Sequence, residues 1–198
     1  MIVAELMTAN PVTVEPSDTV QAAREKMEGG RFRQVPVVDQ QTLVGILTDR
    51  DARRHLEQSA RMRVDEVMSA HPFSVDPSTP VERAAHLLTT NKIGSLPVVE
   101  HKKLVGIITA TDMLKALEAV LGATTEASSR IDLDLDGSGD ISAATSLVRS
   151  ICPLLGVGTY RRSRSEGEVL YVLVPSTNAQ SAAHALKEYG FKVLAVHY

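Results

Sequence analysis

The chain has 198 residues, is 43% hydrophobic and 23% charged, and carries a net charge of −3. That composition belongs to an ordinary globular protein and excludes a disordered tail, a collagen and a disulfide scaffold. Near-neutrality excludes a general nucleic-acid binder, and 4% aromatic residues without tryptophan give no stacking platform for single strands. No apolar run reaches the ~18 residues of a membrane helix. The first ten residues carry Glu5 and lack a signal-peptide pattern, and the single Cys152 cannot close an internal disulfide, so a cytoplasmic protein is expected.

In chain order the first feature is a repeat. Residues 7–51 overlie residues 68–112 at a constant offset of 61, without a gap. Met7/Met68, Pro11/Pro72, Val14/Val75, Pro16/Pro77 and Val20/Val81 coincide, Pro36-Val37-Val38 recurs as Pro97-Val98-Val99, and Leu43-Val44-Gly45-Ile46 as Leu104-Val105-Gly106-Ile107. Each copy reads as strand–helix–strand–strand–helix. After an extended segment at 11–14, Asp18 with Gln21, and Thr79 with Glu82 behind it, form capping boxes, the second with Pro80 at the first helical position. Val20, Ala23 and Met27, and then Val81, Ala84 and Leu88, keep helical spacing; Gly29-Gly30 and Asn91 end these helices. Hairpin strands are expected at 35–38 and 43–47, and at 96–99 and 104–108, each followed by a closing helix. In the second closing helix Met113, Leu114, Leu117 and Leu121 fall on one face. A unit this short buries too little to stand alone, so the copies should pack against each other.

The chemistry lies at the end of each hairpin, in Gly45-Ile46-Leu47-Thr48-Asp49-Arg50-Asp51 and Gly106-Ile107-Ile108-Thr109-Ala110-Thr111-Asp112. A hydroxyl closes the strand and a carboxylate follows three residues later, where a helix starts. A helix N-terminus offers unpaired N–H groups and a positive dipole end, which favour phosphate. Thr48 and Thr109 can donate to a phosphate oxygen, and Asp51 and Asp112 can accept from paired ribose hydroxyls. Thr-x-x-Asp found once is a capping box; found twice behind the same strand, it points to a nucleoside phosphate.

On these residues the repeat resembles a tandem pair of CBS domains, a Bateman module, whose mark is Gly-h-x-Thr/Ser-x-x-Asp (h apolar) after a Pro-Val-Val-type strand. The resemblance implies an α/β (α+β) chain with CBS domain 1 at 1–60 and CBS domain 2 at 61–121, each βαββα, packed as a pseudo-symmetric pair. It implies clefts for adenosine-containing ligands: AMP, ADP, ATP or S-adenosylmethionine. By matching position it gives ribose to Asp51 and Asp112, phosphate to Thr48 and Thr109, and the flanks of the base to Ile46 and Ile107. Arg33, Gln34 and Val35 would line one cleft and Ser95 and Leu96 the other, with Val12, Thr13, Phe73 and Ser74 closing them. Arg31, Arg33 and Arg50 become Lys92, Gly94 and Thr111 in the second copy. Unequal clefts follow, with the one containing Arg50 expected to favour the more highly charged nucleotide.

Residues 122–130 are small and polar and read as a linker. Beyond it come a strand at 131–135, a helix bearing Ile141, Ala144, Val148 and Ile151, strands at 156–165 and 169–174, a helix behind Thr177 and Gln180 bearing Ala179, Ala182, Ala183 and Leu186, and a strand at 193–198. This βαββαβ order is that of a ferredoxin-like unit. With a glycine turn after its first strand, 131–198 resembles an ACT domain, a small-ligand sensor often serving amino acids. The resemblance implies a ligand at Gly137, Ser138, Gly139 and Asp140, often across a dimer interface. Where that family often has Pro-Gly, this chain has Asp136-Gly137. CBS followed by ACT resembles regulatory proteins of the acetoin-utilisation type. Asp132-x-Asp134-x-Asp136-Gly137-x-x-Asp140 mimics the start of an EF-hand loop, but its twelfth position is Ala143 and no helix enters it. Exposed aspartates alternating along a strand account for it, and no metal is expected.

His55, His71, His86, His101, His184 and His197 show no metal-ligand spacing, Cys152 sits beside an apolar helix face, and there is neither a Walker loop nor a nucleophile elbow. The expected protein is therefore not an enzyme and needs no obligatory cofactor. It is a homodimeric regulatory sensor that binds an adenine nucleotide or S-adenosylmethionine and acts on a partner protein, without nucleic acid or membrane. The competing expectation is a homodimerisation scaffold with empty, degenerate clefts.

Overall fold

The backbone repeats as faithfully as the sequence. Among the described residues the non-glycine positions with positive φ form four pairs 61 apart: Asn10 and His71 (47° and 51°), Arg31 and Lys92 (55° and 54°), Gln40 and His101 (47° and 48°), Gln41 and Lys102 (71° and 68°). Side chains crowd the backbone in this conformation, so matched pairs mark corners that both copies require. The computed structural model describes residues 1–55, 57, 59–121, 127–135, 140–161 and 167–198. The chain divides into two units, Met1–Ala116 and Leu117–Tyr198.

The first copy contains β1 (Thr8–Ala9), α1 (Val20–Gly30), β2 (Gln34–Asp39), β3 (Thr42–Thr48) and α2 (Asp49–Arg53). The second contains β4 (Ser69–Ala70), α3 (Val81–Thr90), β5 (Ser95–Glu100), β6 (Lys103–Thr109) and α4 (Ala110–Leu121). Hairpins β2–β3 and β5–β6 are antiparallel and share a sheet. The short strands exchange partners: β1 of the first copy pairs with β6 of the second, and β4 of the second with β3 of the first. The turns before them exchange too. Val3 enters the core of Val75, Ala84, Leu88, Leu96, Val98 and Ile108, whereas Val64 enters that of Val14, Val20, Ala23, Met27, Val35, Val37 and Leu47. Each apolar core is therefore closed by a residue lent by the other copy.

This exchange explains the hairpin glycines. A Cβ on Gly45 would overlap Met68 Sδ, and one on Gly106 would overlap Met7 Sδ, so each methionine at the head of one copy lies on the glycine of the other. Two local expectations shift. The cap of α1 is Thr19, whose hydroxyl accepts from Ala22 N at 3.1 Å, while Asp18 accepts from Glu15 N; Thr79 likewise accepts from Asp76 N rather than capping α3. In α4 Asp112 and Ala116 are buried and Met113 packs against the second core, while Leu114, Leu117 and Val120 are 61%, 51% and 63% exposed, so Leu114 and Leu117 of the expected face are not buried.

The second unit runs β7 (Ser128–Asp134), α5 (Ile141–Ile151), β8 (Gly156–Arg161), β9 (Glu168–Pro175), α6 (Ala179–Glu188) and β10 (Val193–His197). Its antiparallel sheet has the order β10-β7-β9-β8, and Ile131, Leu133, Leu170, Val172 and Val174 pack with Ala144, Val148, Ala182 and Leu186 of the helices. β7 begins at Ser128, inside the segment expected to be linker; residues 122–126, and those at 162–166 expected to extend β8, lie outside the described set. Thr177 donates to Asn178 Oδ1 instead of capping α6.

Asp132 corrects another expectation, because it is buried, not exposed. On the sheet face opposite the helices it accepts from Arg130 Nε at 2.7 Å and Tyr160 Oη at 2.9 Å, with His197 Nε2 at 3.4 Å. The Arg130 guanidinium lies over the Tyr160 and Tyr171 rings, 4.8 and 4.7 Å from their centroids. Burial opposes ionisation of Asp132, but the bonds from Arg130 and Tyr160 hold its carboxyl below the usual range. Asp134 meets Lys192 Nζ at 2.5 Å. These aspartates already have protein partners, which is a structural reason for the EF-hand-like spacing.

Candidate functional site between the repeats

A cleft of about 690 Å³ opens between the two copies, within the size range of small-molecule sites. The first copy contributes Thr8, Pro11, Val12, Pro36 and the run Gly30 to Gln34; the second contributes Gly94, Ser95, Ile107, Thr109, Ala110 and Thr111. Antiparallel pairing puts Ser95 opposite Thr109 across β5 and β6. Ser95 Oγ donates to Gln34 Oε1, a contact between residues that are repeat equivalents. Glycine at 94 makes this possible, because a Cβ there would overlap Gln34 Nε2.

Of the expected site residues, Val12, Arg33, Gln34, Ser95, Ile107, Thr109 and Thr111 meet in this cleft. Arg33 and Gln34 thus share a cleft with Ser95, where separate clefts were expected. Val35 and Leu96 send their side chains into the two cores, because successive strand residues face opposite sides. Thr13 lies next to the lining, with its carbonyl accepting from Lys26 Nζ at 3.1 Å. Ile46, Thr48, Arg50, Asp51, Phe73 and Ser74 belong to the corner related by the repeat; Phe73 is exposed there as Val12 is here. Gly137, Ser138 and Gly139 lie outside the described residues, while Asp140 caps α5 by accepting from Ser142 N at 2.8 Å.

Each motif closes into a reciprocal cap. Thr48 Oγ1 donates to Asp51 Oδ2 at 2.5 Å and accepts from Asp51 N at 3.2 Å. Thr109 Oγ1 donates to Asp112 Oδ2 at 2.8 Å, and Thr109 N donates to the same oxygen at 2.9 Å. The remaining carboxylate oxygens face basic residues of the next helical turn, Arg54 at 3.8 Å and Lys115 at 3.3 Å. The Asp112 side chain is 10% exposed and lies behind Thr109, outside the cleft lining. The threonine meets the cleft and the aspartate holds it in place.

The charge of the cleft also differs from expectation. Its charged lining residues are Arg31 and Arg33, brought from the first copy to the motif of the second, and not to the corner that holds Arg50. Sequence reading missed Thr8, Pro11, Gly30, Phe32, Pro36, Gly94 and Ala110 as lining. Thr8 had no signal available, since only the exchanged strand brings it to Ile107. Gly94 had one: it stands where the first copy has Arg33.

The comparisons agree with this architecture. The CBS domain family profile matches residues 3–58 and 64–119. A CBS domain-containing protein of Bacillus subtilis, YhcV, is 36% identical over 114 residues, covering 56% of this chain and 81% of its own. Inosine-5'-monophosphate dehydrogenase of Korarchaeum cryptofilum is 34% identical over 103 residues, which span 52% of this chain and 21% of that enzyme. Among solved structures, CBSX2 in complex with AMP aligns with a TM-score of 0.53 at 30% identity, over 59% of this chain and 95% of its own. A Vibrio cholerae structure described as an acetoin utilization protein, AcuB, aligns with a TM-score of 0.55 at 35% identity, over 59% of this chain and 90% of its own. The duplicated hairpin, its motif and these matches place the chain in the CBS domain family.

Proposed function

We propose that the chain is a regulatory sensor that binds an adenosine-containing nucleotide between its CBS repeats. The observation that carries this reading is the cleft itself, about 690 Å³ in volume, with Thr109 and Thr111 at the start of α4 facing Arg31 and Arg33. The AMP complex of CBSX2 supports it as a precedent at 30% identity. In this reading Thr109 meets phosphate, Ile107 flanks the base, and Asp112 takes the ribose hydroxyls when Lys115 yields its place; Thr48, Ile46 and Asp51 do the same at the related corner. The second unit acts as an ACT-like domain that pairs two chains or binds a small ligand such as an amino acid near Asp140. The nucleotide state passes to a partner protein as a linked equilibrium between sites.

Calorimetric titration of the intact chain with AMP, ATP, S-adenosylmethionine and NAD tests this. Saturable binding of an adenine nucleotide, lost in Asp51→Ala or Asp112→Ala, supports the sensor. Turnover of a ligand would contradict a purely regulatory role. A pairing scaffold with empty clefts is the second reading, favoured by the closed caps Thr48–Asp51 and Thr109–Asp112. It requires that none of these ligands saturates.

A further inference from the structure

We infer that the cleft of Arg31, Arg33 and Thr109 selects the polyphosphate tail of a nucleoside di- or triphosphate and discriminates against cationic S-adenosylmethionine. The inference rests on the adenosine-binding reading above and names the ligand's charge. Arg31 and Arg33 supply the charge of the cleft lining, and both are positive. Neither has an ion pair or side-chain hydrogen bond among the described residues, whereas Arg24, Arg53, Arg54, Arg63 and Arg130 each meet a carboxylate. Two guanidinium groups that line one cleft without a carboxylate partner among the described residues suit an anion with several charged oxygens.

The backbone fixes where Arg31 stands. Arg31 occupies the left-handed position after α1, with φ at 55°. Glycine is the residue usually found at such helix ends, and the preceding residues are Gly29 and Gly30, yet the strained position carries an arginine. Opposite stands α4, 12 residues long, whose first-turn dipole favours negative charge. The related corner is less suited. Its helix α2 has five residues, Gly94 replaces Arg33, and Asp49, which pairs with Arg53 at 2.8 Å, replaces Ala110 and adds a carboxylate at the helix start. In this inference the more highly charged nucleotide goes to the cleft of Arg31 and Arg33, where the sequence alone pointed to the corner of Arg50.

The test is titration of the full chain, without divalent cations, with adenosine, AMP, ADP, ATP, S-adenosylmethionine and inorganic triphosphate. Affinity is expected to rise from adenosine through AMP to ATP and to fall with added salt. S-adenosylmethionine and inorganic triphosphate should each bind at least about tenfold more weakly than ATP. Arg33→Gln and Arg31→Gly should each weaken ATP about fivefold, and together more than about tenfold, while leaving adenosine unchanged. Because glycine suits φ at 55°, Arg31→Gly should keep or raise the melting temperature, which separates lost binding from lost folding. Equal affinity for adenosine and ATP, tighter S-adenosylmethionine than ATP, or variants that leave ATP unaffected or weaken adenosine equally would overturn this inference alone. Inorganic triphosphate matching ATP would overturn its nucleoside part. Failure of every ligand to bind would overturn the adenosine-binding reading with it.

Discussion

Asp132 shows how a residue's surroundings decide its meaning. The alternation of Ile131, Leu133 and Leu135 with aspartates made it look solvated, yet it is buried and held by the Arg130 guanidinium and the Tyr160 hydroxyl. Its folded pKa lies below the unfolded value, about 3.9. The stabilisation is therefore complete above that value and is lost as pH falls through the folded pKa. Acid titration of the melting temperature should show a decline below about pH 4 that Asp132→Asn removes, and at pH 7 this variant should cost about 2 kcal/mol by leaving Arg130 unpaired. A pH profile unchanged by the substitution would contradict the assignment. The motif residues were legible because they recur: Ile107 and Thr109, repeated as Ile46 and Thr48, reach the cleft. Val35 and Leu96 were misplaced because a motif match ignores strand alternation, and the match gives Asp112 to the ribose without revealing that its carboxylate also supports Thr109.

At the scale of elements, periodicity identified helices and hairpins well, since apolar spacing reports which face is buried. Their ends were less legible. Asp18 and Thr19 both suit an N-cap, and only the fold shows that Thr19 caps α1 while Asp18 closes the preceding turn on Glu15. Thr19→Ala should lower stability in urea denaturation by about 1 kcal/mol; equal losses for Thr19→Ala and for Asp18→Ala would contradict this assignment. Gly106 is a second element-level feature, set by the methionine of the other copy that lies across β6. Gly106→Val should destabilise by about 1–3 kcal/mol through overpacking, and Met7→Ala in the same chain should recover part of it. Additive losses would show that Met7 is not what Gly106 accommodates.

For the whole molecule, the offset of 61 predicted two packed copies but not their exchange of leading segments. A repeat is the same whether each copy keeps its own first strand or lends it, so the sequence carries no signal of the swap. The consequence is that neither copy has a complete core of its own. Val3→Ala should cost about 2 kcal/mol and lower hydrogen-exchange protection in α3 and β5 before α1 and β2, although Val3 precedes the first copy. Protection lost first in α1 would refute the exchange. The same swap builds the cleft, because it carries Thr8 of the first copy to Ile107 of the second. The most direct measurement of the central claim is a crystal structure of the intact chain grown with AMP. The account predicts a nucleotide between the repeats, its phosphate at Thr109 facing Arg31 and Arg33 and its base beside Ile107. An empty cleft at saturating AMP, or AMP bound away from these residues, would contradict it.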